Sequence, residues 1–589
     1  MKLVKIAFVL GIVSLAACND LDELLVNPNG VDPDRADPVA LYNNIQLKTA
    51  EILMGDNDPS SGANTGGTST NNALFDFTAG LSRMTALVPT GFTYATAFGD
   101  TYFDAMWTDV YADLFPDIET FNAILTPLDE LGPVGANNVI KAYMLMMLVD
   151  VFGDIPVSEI GLGAQVDGGI LSPALDDDAE VYALAISLLD EAIGQLEGSE
   201  DFGSDYIDNF YGGDVSSWAT LAKTLKLRAA VTTRLVNGPG SVDTDDLIVS
   251  NGENWEYQYG NNRLNPSNRH PMYADSYENA DPTYQSNWYM WLMAESKGFA
   301  DPRTPYYFYR QSIDVYPIVV EENPNAFDCI VTQVPRPNFT PVHYEAVSED
   351  MPYCLGSYSK SYFGRDHLNG SGIPPDGEFR TAYGLYPVGG AYDDGRTNNI
   401  VTTRGTAGAA GVGIIPIWQA SWTHFILAEA ALTMNDVDGD ARQFLEDGIN
   451  LSMERVRSFE SLVDGGEIIA TFPVEVRRSA TFTSDEDVAS YVEYVLNEFD
   501  EADDEGKLAI VAREYMIALF GNGLEAYNLY RRTCLPADIQ PAINTEAGPF
   551  IRSAFYPAVL ANRNINVEQK SANRQETVFW DTREAGCAY

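Results

Sequence analysis

The chain has 589 residues, 45% of them hydrophobic, and 85 acidic against 35 basic side chains give a formal net charge of -50. Such a field repels nucleic acid and anionic lipid surfaces, so a nucleic-acid partner is excluded. The length suits one large core or two closely joined domains, and past the N-terminus no apolar run reads as a membrane span.

Lys2 and Lys5 flank an apolar stretch from Ile6 to Leu15 that is too short to cross a bilayer, and Leu15, Ala16 and Ala17 lead into Cys18. This is the pattern of a cleaved bacterial lipoprotein signal over residues 1–17. Cys18 is then the first mature residue, its thiol carrying diacylglycerol and its amine an acyl chain, which together anchor the protein to a membrane. Residues 18–37 read as a tether, made acidic by Asp20, Asp22 and Glu23.

Helical periodicity begins with a rough pattern from Asn138 to Val151, which Gly153, Asp154 and Pro156 stop. Val181, Leu184, Ala185, Leu188, Leu189, Ala192 and Ile193 make one apolar face, and Trp218, Leu221, Ala222, Leu225 and Ala229 a second. Gly212 and Gly213 supply a turn before the latter, with Asp214 or Ser216 as its cap. Further helices are predicted over Ser421 to Thr433, Asp440 to Val456 and Leu508 to Leu519. Long irregular tracts at 56–72, 237–281 and 313–413 interrupt them, and the last holds too few alternating segments for a real sheet. The fold class expected is mainly all-α in one domain over 18–589: a helical scaffold at 38–236 and 414–589, and a loop-rich excursion over 237–413 packed on it.

Catalytic signatures are absent. There is no HExxH, nucleophile elbow or P-loop, and GAAGVG at 408–413 lacks dinucleotide-binding order. The four histidines, His270, His343, His367 and His424, have no metal-ligand spacing. Asp436, Asp438 and Asp440 surround Gly439 in the wrong order for an EF-hand, so Asp440 is expected to cap a helix. No cofactor is expected, although a structural calcium ion on an acidic loop stays open without a location. Beyond Cys18, the cysteines Cys329, Cys354, Cys534 and Cys587 allow three pairings, of which the sequence-near Cys329 with Cys354 and Cys534 with Cys587 are preferred.

Eight segments in order resemble the SusD-like (SusD/RagB) family of nutrient-binding lipoproteins, across nearly the whole mature chain. They are LDELLVNPN (21–29), VDVFGDIPVSE (149–159), YGGDVSSWATLAKTLKLRAA (211–230), DPRTPYYF (301–308), the stretch from YFGRDHLNG to YPVGG (362–390), SWTHFILAEAAL (421–432), GNGLEAYNLYRRT (521–533) and RSAFYPAVLANRN (552–564). Glu525, Arg531 and Arg532 in the seventh are candidates for ion pairs between helices. The resemblance implies tetratricopeptide-like helix pairs carrying an irregular ligand face. It implies a non-enzymatic protein that captures oligosaccharide, or in some members peptide, as a lid over a SusC-like TonB-dependent transporter of the outer membrane. The acidic patch after Cys18 is similar to the signal that sends Bacteroidota lipoproteins to the cell surface.

For a glycan, flat rings flanked by short polar chains are needed, because sugar C–H faces stack on rings while hydroxyls seek hydrogen bonds. The tract from 255 to 291 supplies Trp255, Tyr257, Tyr259, Asn261, Asn262, Arg263, Tyr273, Tyr277, Trp288 and Trp291. Trp288 and Trp291 are expected in the core; Trp255, Tyr273 and Tyr277 are the first expected ligand contacts. A second patch comprises Asn71, Asn72, Phe75, Tyr94 and Phe98, whereas Phe103, Trp107 and Tyr111 share a helical face and are expected inside. A hydrolase using two carboxylates is the rival reading, as is a peptide ligand.

Overall fold

The computed structural model describes residues 36–55, 73–89, 91–160, 170–238, 240, 242–263, 266–278, 283–311, 341–353, 362, 364–370, 380–395, 405–435, 437–463, 482–583 and 587. Cys18, Asn71, Asn72, Cys329, Cys354 and Asp436 lie outside these residues.

The scaffold opens with α1 (Pro38–Met54), where Pro38 occupies the first turn and the Asp37 carboxylate accepts from the Val39 amide. There follow α2 (Leu74–Leu81), α3 (Phe115–Leu125), α4 (Leu131–Phe152), α5 (Asp178–Glu197) and α6 (Val215–Asn237). Asp214 caps α6 by accepting from the Ser216 amide, and Gly153, at φ +73°, ends α4. Helix α4 is apolar on every side and long enough, by length and composition, to cross a bilayer. The sequence pattern had shown only an amphipathic face there; 94% of its most apolar window is buried, because neighbouring helices cover it all round.

The excursion contributes β1 (Trp255–Gln258), α7 (Pro271–Glu278), α8 (Asn287–Ala294), β2 (Phe308–Tyr309) and β3 (Ala382–Tyr383). The scaffold resumes with β4 (Ile414–Trp418), α9 (Ala420–Thr433), α10 (Ala441–Arg457), α11 (Asp485–Glu501), α12 (Asp504–Ala518) and α13 (Gly523–Thr533). Consecutive helices pack as α4 on α5, α5 on α6, α9 on α10 and α11 on α12. Asp440 caps α10 by accepting from Arg442, and a Ser484–Asp487 capping box starts α11. The only named strands among the described residues form two antiparallel pairs, β1 with β4 and β2 with β3. The first pair sets Tyr257 opposite Ile415 and ties the excursion directly to the strand that feeds α9.

Close approach explains two glycines. A Cβ on Gly523 would lie 2.2 Å from the Ala79 nitrogen, so α13 crosses α2 backbone to backbone. A Cβ on Gly408 would lie 1.9 Å from the Gly390 carbonyl oxygen, so the loop before β4 is a closely packed floor and not the loose linker its composition suggests. Asp393 turns the chain by accepting from the Gly395 amide, and it also receives the Arg310 guanidinium at 2.7 Å. Cys534 and Cys587 form a disulfide that holds the C-terminal segment against the end of α13.

At the centre, the fully buried Arg228 of α6 donates to Asp150 of α4 at 2.5 Å, to Glu525 of α13 at 2.8 Å and to the Tyr182 hydroxyl of α5 at 2.7 Å. Asp150 also receives Asn528 and the Trp580 indole, each at 2.8 Å. Removing one partner from such a buried pair leaves a charge without compensation, at a cost of about 3–5 kcal/mol. Asp150→Ala is therefore expected to lower the unfolding free energy by about that amount, read from the urea midpoint of the purified chain.

Candidate functional site

The rings of β1 alternate with the strand's pleat and form a row that leaves the core. Trp255 is wholly buried against Tyr143 at 4.9 Å and Phe210 at 5.8 Å. Phe210 leads to Tyr257, Tyr257 to Tyr259 at 5.3 Å, and Tyr259 to His270 at 4.9 Å. Tyr257 and Tyr259 are half-buried, and Asn261, Asn262 and Arg263 beyond them are exposed. This ledge offers ring faces beside amides and a guanidinium, the combination that stacks and hydrogen-bonds a sugar.

A second surface forms where α2, α7, β3 and the segment after Phe98 converge. The half-exposed Tyr102 packs on Phe98 at 4.9 Å and donates to Asp76 at 3.0 Å. Burial pushes the Asp76 carboxyl up to about 7, with Asp275 adding to the rise and the Tyr102 hydroxyl opposing it. Asp76 and Asp275 together raise the Tyr383 hydroxyl, after burial, which puts three polar groups from distant parts of the chain at one place. A strongly displaced carboxyl beside a partly exposed ring makes this surface a second candidate site.

The residues expected first as ligand contacts are inside. Tyr273 stacks on Tyr277 with ring centroids 4.5 Å apart, and its hydroxyl donates to the Ala407 carbonyl. The Tyr277 hydroxyl donates to the Tyr383 carbonyl at 2.6 Å and accepts from the Ala391 amide. Their polar sequence neighbours Asp275 and Ser276 are buried too, so adjacency to polar residues was no sign of exposure. Buried loop backbone needs hydrogen-bond partners, and tyrosine hydroxyls supply them. Trp255 anchors the row instead of contacting solvent. Phe75 lies inside α2's packed face, and Tyr94 is buried with its hydroxyl between Arg83 and His367. Phe98 is likewise buried, while Trp288, Trp291, Phe103 and Trp107 pack inside as expected and Tyr111 packs on Trp107.

For a cation, the one cluster of carboxylates among the described residues is Asp154, Asp177 and Asp178. All three already accept from backbone: Asp154 from Asp178, Asp177 from Ala179 and Glu180, and Asp178 from Phe579. They sit at the start of α5, whose dipole already favours negative charge.

Residues 32–322 match the SusD-like family model described as "Starch-binding associating with outer membrane", and residues 412–577 match the model described as "Susd and RagB outer membrane lipoprotein". The chain belongs to the SusD-like family. The segment between the two matches carries β3 and the Gly390–Gly408 contact, so part of the second surface lies outside both SusD-like matches. Among solved structures, a chitin-binding SusD homolog from Flavobacterium johnsoniae aligns with TM-score 0.59 and 17% identity over 92% of this chain and 99% of that one. A SusD homolog from Bacteroides uniformis ATCC 8492 aligns with TM-score 0.58 and 17% identity, over 93% and 100%. One from Bacteroides fragilis NCTC 9343 gives 0.59 and 14%, over 93% and 100%. At these identities the likeness is one of fold. No curated protein matches the chain.

Sequence reading missed Asp76 and Tyr102, since their partners Asp275 and Tyr383 come from other segments and no local spacing announces them. Because Asp76 rises from an ordinary 3.8 to about 7 on folding, its neutral form contributes stability in acid that is lost as pH climbs through about 7. Asp76→Asn keeps a neutral side chain at every pH. The drop in melting temperature between about pH 5 and 8 should therefore be smaller in the variant than in the parent; equal drops would show that Asp76 does not titrate there.

Proposed function

We propose that this SusD-like protein is a lipid-anchored capture protein of the outer membrane, facing outward, which binds a glycan and passes it unchanged to a SusC-like TonB-dependent transporter. The observation that carries the reading is family membership on both sides of the excursion, under descriptions that name starch binding and an outer-membrane lipoprotein. The accessible ring of Tyr102 beside Asp76, and the Tyr257–Tyr259 ledge beside Asn261 and Asn262, supply the chemistry that a sugar face and its hydroxyls require. The chitin-binding Flavobacterium johnsoniae homolog supports a glycan over a peptide. Cys18 supplies the anchor, and the net charge of -50 favours neutral glycans over strongly anionic ones.

Affinity electrophoresis of the mature chain through gels containing starch, soluble chitin derivatives or neutral hemicelluloses tests this. Retardation in one glycan without shortened products is expected, and Tyr102→Ala should weaken it about tenfold, the loss of about one stacked ring, with the variant still folding cooperatively. Shortened products would establish a hydrolase instead, and retention by a peptide matrix alone would establish the peptide ligand. Cys18→Ala should release the protein from the membrane fraction while leaving glycan affinity intact.

A further inference from the structure

A groove of about 900 Å³ runs along α10, between Val249, His424 of α9 and Val488 of α11. It contains none of the aromatic residues discussed above. Its α10 positions 447, 450, 451, 454 and 457, with Ser458 just past the helix end, recur in steps of three and four, one stripe of the helix. At about 1.5 Å per residue the trough is on the order of 16 Å long, enough for about five residues of extended chain. Arg457 is turned to Asp485 at 2.7 Å, which leaves Asp447 and Glu454 as the outward charges of the stripe.

Inside the trough two acceptors face one another with no donor between them. His424 Nδ1 is buried and has no hydrogen-bond partner, and it lies 3.9 Å from Asp447 Oδ2. Burial holds the imidazole below its ordinary value; Asp447 opposes this, and so does the Val249 backbone, which leaves Nε2 as the nitrogen to engage it because Nδ1 has no partner. A neutral imidazole whose N–H is already engaged presents a lone pair at Nδ1. A lone pair beside a carboxylate suits a group that donates and cannot accept, an ammonium or a guanidinium. Next to the pair, Val249 is 46% exposed, and Leu451 and Val488 are half-buried, an apolar bed for an aliphatic stem.

We propose that this groove binds an extended peptide segment whose lysine or arginine places its charged end between His424 and Asp447 while aliphatic neighbours lie on Val249, Leu451 and Val488. A segment and not a free amine is favoured because the trough continues for more than two turns of α10 past Asp447, with the exposed Asn450 side chain along it to meet backbone groups.

The test is fluorescence anisotropy of the full mature chain with a labelled seven-residue peptide of alternating leucine and lysine. Asp447→Asn and His424→Leu should each weaken binding about tenfold, Glu191→Gln on α5 should leave it unchanged, and the same peptide with norleucine for lysine should not bind. Asp447 is 40% exposed, so its variant is expected to fold. Equal losses from Asp447→Asn and Glu191→Gln would reduce the binding to the general acidic field and overturn the site. Binding that survives Asp447→Asn, or that the norleucine peptide reproduces, overturns it as well. Full displacement by spermidine at the peptide's own concentration would assign the groove to a free amine and overturn the peptide. Glycan retardation, measured in parallel, reports separately on the Tyr102 surface.

Discussion

Arg228 has no access to water, and a guanidinium in that position is tolerable only if every direction in which it donates ends on a fixed acceptor. Its acceptors come from α4, α5 and α13, and Asp150 in turn collects Trp580 and Asn528. A shift of any of these elements by one helical step would separate buried charges, so the register of the scaffold is set here more sharply than by apolar packing, which tolerates repacking. A second knot follows the same rule: Glu429 of α9 receives Arg234 of α6 at 2.9 Å and Arg532 of α13 at 2.8 Å. Helices α6 and α13 belong to both knots, which ties the N-terminal half of the scaffold to the C-terminal half across the excursion.

The excursion is held by a third knot. Asp301 and Glu514 of α12 both receive Arg303, at 2.7 and 3.1 Å, and Lys297 lies against Asp301 at 3.1 Å, with all four side chains buried. The Tyr491 hydroxyl of α11 donates to Glu514 and its ring lies under Lys297. Eight members of these knots fall in the segments by which the family is recognised: Asp150 in VDVFGDIPVSE, Arg228 in the 211–230 segment, Asp301 and Arg303 in DPRTPYYF, Glu429 in SWTHFILAEAAL, and Glu525, Asn528 and Arg532 in the 521–533 segment, while Tyr182, Arg234, Lys297, Tyr491, Glu514 and Trp580 lie outside them. Those signatures therefore describe how the scaffold is locked and are silent on what it holds.

The same division decides what could be read from the chain. Helices with one apolar face, such as α5 and α6, were legible because their period is local. Helix α4 gave only a rough pattern because it is apolar all round, and a residue buried on every side has no face to report. The Asp440 and Asp214 caps were legible because each cap acts within three residues of itself. Ring exposure was not, since it depends on what the excursion packs against: Tyr273 and Tyr277 fill the space under the 405–413 loop, while Tyr257 and Tyr259, in the same tract, reach the surface because β1 runs outward. The Cys534–Cys587 bond is one of the two preferred pairings, and it joins segments that α13 and the C-terminal strand of irregular chain bring side by side.

The knots also shape the outside of the molecule. Arg83, Arg228, Arg303, Arg531, Arg532 and Arg574 are all among the largest fully buried side chains, drawn from a total of only 35 basic residues. Arg83 donates to the carbonyls of Gln540 and Leu81, and Arg574 to those of Phe98 and Tyr94, so these two place positive charge inside on backbone oxygens. Locking the fold with arginine thus withdraws part of a small stock of cations from the surface, in a chain where 85 carboxylates already predominate. Arg263, the guanidinium beside the Tyr257–Tyr259 ledge, is itself paired with Glu278 at 3.1 Å. Beside it the ledge offers Tyr257 and Tyr259 with Asn261 and Asn262, and at the second surface Tyr102 lies against Asp76, whose carboxyl burial raises to about 7. A neutral, hydroxyl-rich ligand of the kind proposed above would require no free cation at either surface.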